Sequence, residues 1–144
     1  MPDILHRFTI DAPHERVHEL IATREGVERW WTAHPNLGDE TRLQVFFGGG
    51  DPAAVMDVEQ TPERIVWRVV DGPADWVGTT ITFELQRRTD DGTTLLFTHG
   101  EWREANEFMH GCSSNWGAYL TSLKSGAERG QFAAYPAGEM SRWS

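Results

Sequence analysis

Cysteine is almost missing: Cys112 is the single one in 144 residues, so no intrachain disulfide can form, and a reducing compartment is the expected setting. Also missing is any run of about 18 apolar residues, the length a membrane-spanning helix needs. The opening residues, MPDILHRFTIDAP, have neither the basic start nor the apolar stretch of a secretory signal. A cytoplasmic protein is therefore expected. Positive charge is scarce as well, with 13 Lys and Arg against 22 Asp and Glu and a net charge of -9. A surface this acidic repels phosphate backbones and anionic lipid headgroups, so neither nucleic acid nor a membrane is an expected partner. No internal repeat and no break in composition marks a second domain.

The chain does have apolar and aromatic material. Hydrophobic residues make up 39% of it and charged residues 24%, a globular balance, and seven Trp and seven Phe are many for this length. Large rigid rings fill a core or line a ligand pocket. A domain of this size buries roughly 68–70% of the surface its unfolded chain exposes, enough for a substantial core.

Periodicity predicts an α+β fold. Residues 4–10 alternate, with Ile4, His6, Phe8 and Ile10 on one face of a strand. Asp11 or Ala12 is placed to cap a short helix over residues 13–22, with Pro13 in its first turn and Val17, Leu20 and Ile21 inward. Thr23 is placed to cap a second short helix running to Trp30 and Trp31. Strands are predicted over 41–47, 55–61, 64–70, 79–87 and 94–102, the last two joined by the hairpin signal Asp90-Asp91-Gly92. From residue 106 to about 129, Met109, Cys112, Trp116, Tyr119, Leu120, Leu123 and Ala127 recur in steps of three and four, one face of a long helix stopped by Gly130. About six antiparallel strands and one long amphipathic helix make a two-layer architecture, the helix lying across a curved sheet. Residues 1–130 form the domain, and the tail 131–144, with Phe132, Tyr135, Met140 and Trp143, packs on the body or on a partner subunit.

Two short motifs invite functional readings. His14-Glu15-Arg16-Val17-His18 spells H-E-x-x-H, the pattern of zinc proteases, in which two histidines one turn apart bind the metal. Here it opens a short helix directly after Pro13, and no further His or Glu follows at a recognised ligand spacing. A surface-facing first turn is the preferred reading, and no metal or cofactor is expected. Gly48-Gly49-Gly50 is flanked by strands and followed by Asp51, which favours a hairpin connection over a phosphate loop.

The ordered set of segments resembles a known family. These are the first strand leading into Ile10-Asp11-Ala12-Pro13 with Glu15 and Val17 behind it, Glu28-Arg29-Trp30-Trp31, the stretch from Val58 through Pro62 to Trp67, Leu96-Phe97-Thr98-His99-Gly100, and Asn115-Trp116-Gly117 through Lys124. Together they resemble the SRPBCC superfamily, the birch-pollen-allergen-like or helix-grip fold, and within it the branch named after the heat-shock ATPase activator. The resemblance covers Ile4 to about Arg129; the tail beyond Gly130 is longer than the family helix needs. It implies a hydrophobic cavity between sheet and long helix, and no single activity.

Given such a cavity, Trp31, Trp67, Phe83, Phe97, His99, Met109, Cys112 and Trp116 are its candidate lining, each with core packing as the alternative. His99 and Glu101 fall on the same strand face as Phe97, so they are the candidate acid–base pair; a core histidine bonded to backbone is the plainer reading of His99. Cys112 reads as a small packed residue rather than a reactive thiol. His110 stands either at the cavity mouth or in solvent, and Trp76, after Pro73, reads as a lid or an edge cover. Binding of a small apolar molecule is the leading expectation. A cyclase-, dehydratase- or hydrolase-type enzyme and a co-chaperone-like interaction module are the alternatives, and the aromatic tail makes a homodimer an expected assembly.

Overall fold

The structure, a computed structural model, describes residues 1–33, 41–47 and 52–137. The Gly48-Gly49-Gly50 loop, Pro35, Gly38, Met140 and Trp143 lie outside the described residues.

The elements follow the predicted order: β1 (Ile4–Ile10), α1 (His14–Ala22), α2 (Arg24–Trp30), β2 (Arg42–Val45), β3 (Ala54–Thr61), β4 (Arg64–Asp71), β5 (Thr80–Arg87), β6 (Thr93–Gly100) and α3 (Glu107–Arg129). The six strands form one antiparallel sheet in the order β1-β6-β5-β4-β3-β2. With α1 and α2 short and α3 long, this is the helix-grip α+β fold expected from the sequence.

Register sets what faces α3. Ile4 is opposite His99, His99 opposite Ile81, Ile81 opposite Trp67, and Trp67 opposite Val58, so these five side chains form one row across the inner face. The next row runs His6, Phe97, Phe83, Ile65, Gln60. Alternation by two puts these residues on one face, buried at the centre of the sheet and opening to solvent at Gln60, and leaves Leu5, Arg68 and Glu84 on the other.

The helix ends are fixed by local chemistry. The Asn106 side chain accepts the Met109 N–H at 3.0 Å, and α3 stops at Gly130, whose φ of 71° lies in the left-handed region that glycine adopts without a Cβ clash. Thr23 caps α2 by accepting the Gly26 N–H at 3.0 Å. For α1 the cap differs from expectation: Pro13 itself is the flanking residue, and its carbonyl accepts from Arg16 and Val17. At the far end of α3, Lys124 donates to the carbonyl of Thr9 and Glu128 accepts the Asp11 N–H at 2.8 Å, which ties the helix to β1.

The first part of the tail lies on the body. Phe132 covers Gly126 so closely that a Cβ there would meet the ring at 2.0 Å. The Ala133 N–H donates to Ser122 at 2.8 Å, and the Tyr135 N–H donates to the Trp31 carbonyl at 2.9 Å.

The two short helices approach each other through Gly26, where a Cβ would lie 2.6 Å from both the carbonyl oxygen of Glu19 and the Cα of Leu20. Both neighbours are backbone atoms, so only a shift of α1 against α2 could relieve the clash. Gly26→Ala is expected to cost about 3 kcal/mol, lowering the thermal midpoint by roughly 10 °C for a domain of this size; differential scanning calorimetry of the two proteins checks this.

Candidate ligand site

Aromatic rings crowd the space between the sheet and α3. Trp31, at the end of α2, lies 4.7 Å from Trp116 on α3 and 5.8 Å from Trp67 on β4. Trp116 in turn meets Phe97 at 4.8 Å, and Phe97 meets Phe83 at 5.3 Å. Trp31, Trp67, Phe83, Phe97, His99, Cys112 and Trp116 are each 1% exposed or less, and Met109 is 8% exposed. The structure thus brings together in the buried interior all eight residues expected to line a cavity. Trp76, read from the sequence as a lid or an edge cover, is neither: it is fully buried, its ring centroid 6.2 Å from that of Trp116 and 5.0 Å from that of His99, because the turn after Pro73 folds inward.

His99 sits in a closed chain of hydrogen bonds. Trp116 Nε1–H donates to His99 Nδ1 at 3.1 Å, so that nitrogen carries no proton. The proton is therefore on Nε2, which donates to Thr79 Oγ1 at 2.8 Å; Thr79 donates to the Trp76 carbonyl at 2.6 Å. Burial pushes the ring down to about 3, so it stays neutral across the physiological range. The structure separates Glu101 from it. β6 ends at Gly100, and Glu101 turns out in the left-handed region with φ 70°. Its carboxylate is exposed and accepts from Thr80 Oγ1 at 2.9 Å, so the shared face ends one residue short of it. Burial also pushes the Cys112 thiol up to about 12, which leaves it a protonated core residue. His110 is exposed.

Open space lies elsewhere. A groove of about 520 Å³ runs between the α1–α2 pair and the β2–β3–β4 edge of the sheet. Ile21, Ala22 and Val27 form its helical wall, Leu43 and Val58 its strand wall, and Trp67 is the one expected site residue that reaches it. Glu15, His18, Glu19, Glu25, Arg24 and Arg42 ring the apolar part. A shallower cleft of about 390 Å³ adjoins it, and Glu15, His18 and Gln60 line both.

The H-E-x-x-H residues stand at this junction. His14 is buried at 4% exposure, a correction to the surface-facing turn expected from the sequence, because the Pro13 cap turns the first residue of α1 against the body. Its ring stacks on His18 with centroids 6.2 Å apart. Glu15 is engaged by Arg87 at 2.8 Å, and His18 Nε2 donates to the Thr61 carbonyl at 2.9 Å. Among the described residues, no group of three or more His, Cys, Asp or Glu side chains is arranged to hold a metal ion. Sequence reasoning missed the groove because its lining comes from five elements, two helices and three strands, spread from residue 15 to residue 67. The single readable hint was the polar spacing His18, Glu19 and Gln60 beside apolar Ile21 and Val58.

A six-stranded antiparallel sheet gripped by one long helix, with a half-open groove at the short-helix end, defines a helix-grip protein. The chain belongs to the family described as activator of Hsp90 ATPase homolog 1-like protein, whose profile matches residues 11–128. The dimeric Aha1 of Colwellia psychrerythraea is 29% identical and superposes with a TM-score of 0.76 over 90% of this chain and 98% of that one. CalU16 of Micromonospora echinospora, 19% identical, gives 0.72 over 96% and 71%. A Staphylococcus saprophyticus protein, 18% identical, gives 0.70 over 92% and 97%. These last two show the fold alone. Comparison with curated proteins gives no match. No helix among the described residues is long and apolar enough to cross a membrane.

The histidine chain makes a stability prediction. The unfolded ring protonates near its ordinary value of 6.5 and the folded ring only near 3, so between these values the unfolded state binds more protons and stability falls as pH falls. One such proton contributes a slope of about 1.4 kcal/mol per pH unit. Gln at this position can accept from Trp116 and donate to Thr79. His99→Gln is therefore expected to flatten the slope by about one proton's worth between roughly pH 6 and 4, read by urea unfolding at each pH. Thr79→Val, which strips the Nε2–H of its acceptor, is expected to destabilise by about 1–3 kcal/mol at neutral pH.

Proposed function

We propose that this protein binds a small, largely apolar molecule in the groove between the α1–α2 pair and β2–β4, and that it does so without chemistry at His99. The observation that carries the reading is the groove itself. Its volume of about 520 Å³ falls within the range of natural small-molecule pockets, and its apolar wall of Ile21, Val27, Leu43 and Val58 ends on Trp67. Behind Trp67 stand the rings of Trp31 and Phe83, with centroids 5.8 and 4.7 Å from its own. Rigidity is useful here, because a preformed wall spares the ligand the cost of ordering it. Acid–base catalysis by His99 and Glu101 draws no support from a neutral, doubly bonded ring and a carboxylate on the surface. Burying ~200 Å² of ligand carbon contributes about 5 kcal/mol, which corresponds to sub-millimolar binding of even a short alkyl chain.

The test is a titration with 1-octanol followed by ¹H–¹⁵N chemical shifts, with native mass spectrometry of the purified protein to detect a retained ligand. Shifts are expected at Ile21, Ala22, Leu43 and Val58. Val58→Arg, which puts a charged head into the groove, is expected to weaken binding at least tenfold while keeping the folded spectrum. Absent or scattered shifts overturn the reading.

We also infer self-association, favoured by the similarity to a dimeric Colwellia protein of 29% identity. Residues 131–135 are engaged on their own body, so the part of the tail to remove is 138–144. Light scattering of the full chain is expected to give twice the mass of 16.3 kDa, and removal of 138–144 to lower it; an unchanged mass excludes those residues from the interface.

A further inference from the structure

The charges around the groove are not balanced. Three carboxylates, Glu15, Glu19 and Glu25, and two guanidinium groups, Arg24 and Arg42, line it. Both guanidinium groups have carboxylate partners: Arg24 meets Glu25 at 3.2 Å, and Arg42 places Nε and Nη2 on Asp57 Oδ1 at 3.1 and 2.8 Å. Glu15 is matched by Arg87 at 2.8 Å. Glu19 has no ion pair among the described residues.

Its neighbour in the lining, His18, is already engaged, Nε2 donating to the Thr61 carbonyl at 2.9 Å. Glu19 therefore stands as the unmatched negative charge at the edge of the apolar wall. The rest of the molecule acts in the same direction, since a net charge of -9 raises the local concentration of cations and repels anions.

We propose that the groove is selective for amphiphiles with a cationic, ammonium-type head, the alkyl or aryl body lying along Ile21, Val27, Leu43 and Val58 and the head held at Glu19 beside His18. This rests on the groove reading above and adds the chemical class of its ligand. An ammonium suits the site because its N–H groups donate to the Glu19 carboxylate, while a carboxylate or phosphate head would face Glu19 with both lining guanidinium groups already paired. Glu19 is exposed, so the selectivity is a moderate, salt-sensitive one.

The experiment compares three probes of equal chain length, octylammonium, 1-octanol and octanoate, by chemical-shift titration at neutral pH and low salt. Octylammonium is expected to bind about tenfold or more tightly than octanoate, with 1-octanol between them, and the ratio to shrink in 0.5 M salt, where the screening length is only a few ångströms. Glu19→Gln is expected to reduce the octylammonium-to-octanoate ratio at least threefold. Glu107→Gln removes the same charge from α3, outside the groove lining, and is expected to leave most of the ratio intact. Equal binding of all three probes, or preference for octanoate, overturns the cationic selectivity while the groove reading stands. An equal fall in the ratio for both variants also overturns it, because the head would then be sensing net charge and not Glu19. If 1-octanol and both charged probes fail to bind, the groove reading falls and takes this inference with it.

Discussion

The contact of Trp31 with Trp116 and Trp67 joins three parts of the chain that share no local sequence: the end of α2, the middle of α3 and the centre of β4. Phe47, Trp76 and Tyr119 close around the same ring, and its backbone carbonyl accepts the Tyr135 N–H of the tail. A buried Trp of this kind contributes by area and by edge and face contacts between rings, and its loss leaves a cavity that rigid neighbours cannot close. The sheet's inner face, the grip of α3 and the seating of the short helices all rest on this cluster. The open groove lies to one side of this cluster, at the short-helix end.

That displacement bears on what the family resemblance can tell. A helix-grip fold places a long helix over a concave sheet, but whether the concavity holds a ligand depends on the size of the side chains that face into it. Here several Trp rings and two Phe rings occupy it. The groove between α1–α2 and β2–β4 is separate: the two short helices, in close contact at Gly26, form one side of it and the sheet edge the other. Trp67 belongs to both, its row partners being Ile81 on the core side and Val58 on the groove side.

The polar groups of the interior follow the same constraint. His99 is fully buried because its strand position faces inward between Ile4 and Ile81, and a buried imidazole is tolerated once both nitrogens are matched. Thr79 and Trp116 supply that match from a turn and from α3, so the histidine becomes a connector between sheet and helix and loses its acid–base range. Glu101, one residue beyond the strand, escapes to solvent because the chain turns at a left-handed φ. A distance of two residues in sequence thus separates a neutral core ring from an exposed carboxylate.

The elements themselves were legible in the sequence, because hydrophobic periodicity and capping act within a few residues. The alternation around Ile81, Phe83 and Leu85, the three- and four-residue steps from Met109 to Ala127, and the stops at Gly130 and Asp90-Asp91-Gly92 needed no tertiary information. Inward direction was legible too, because it follows from the same periodicity. That Trp31 meets both Trp67 and Trp116 was decided only by the tertiary structure, since it depends on ångström-scale packing between α2, α3 and β4. The inward fold of Trp76, the burial of His14 and the groove at Glu19 were decided there as well, because each depends on where a turn or a short helix lands against an element distant in the chain. Periodicity reports which face a side chain takes; only contact between distant elements decides what that face meets.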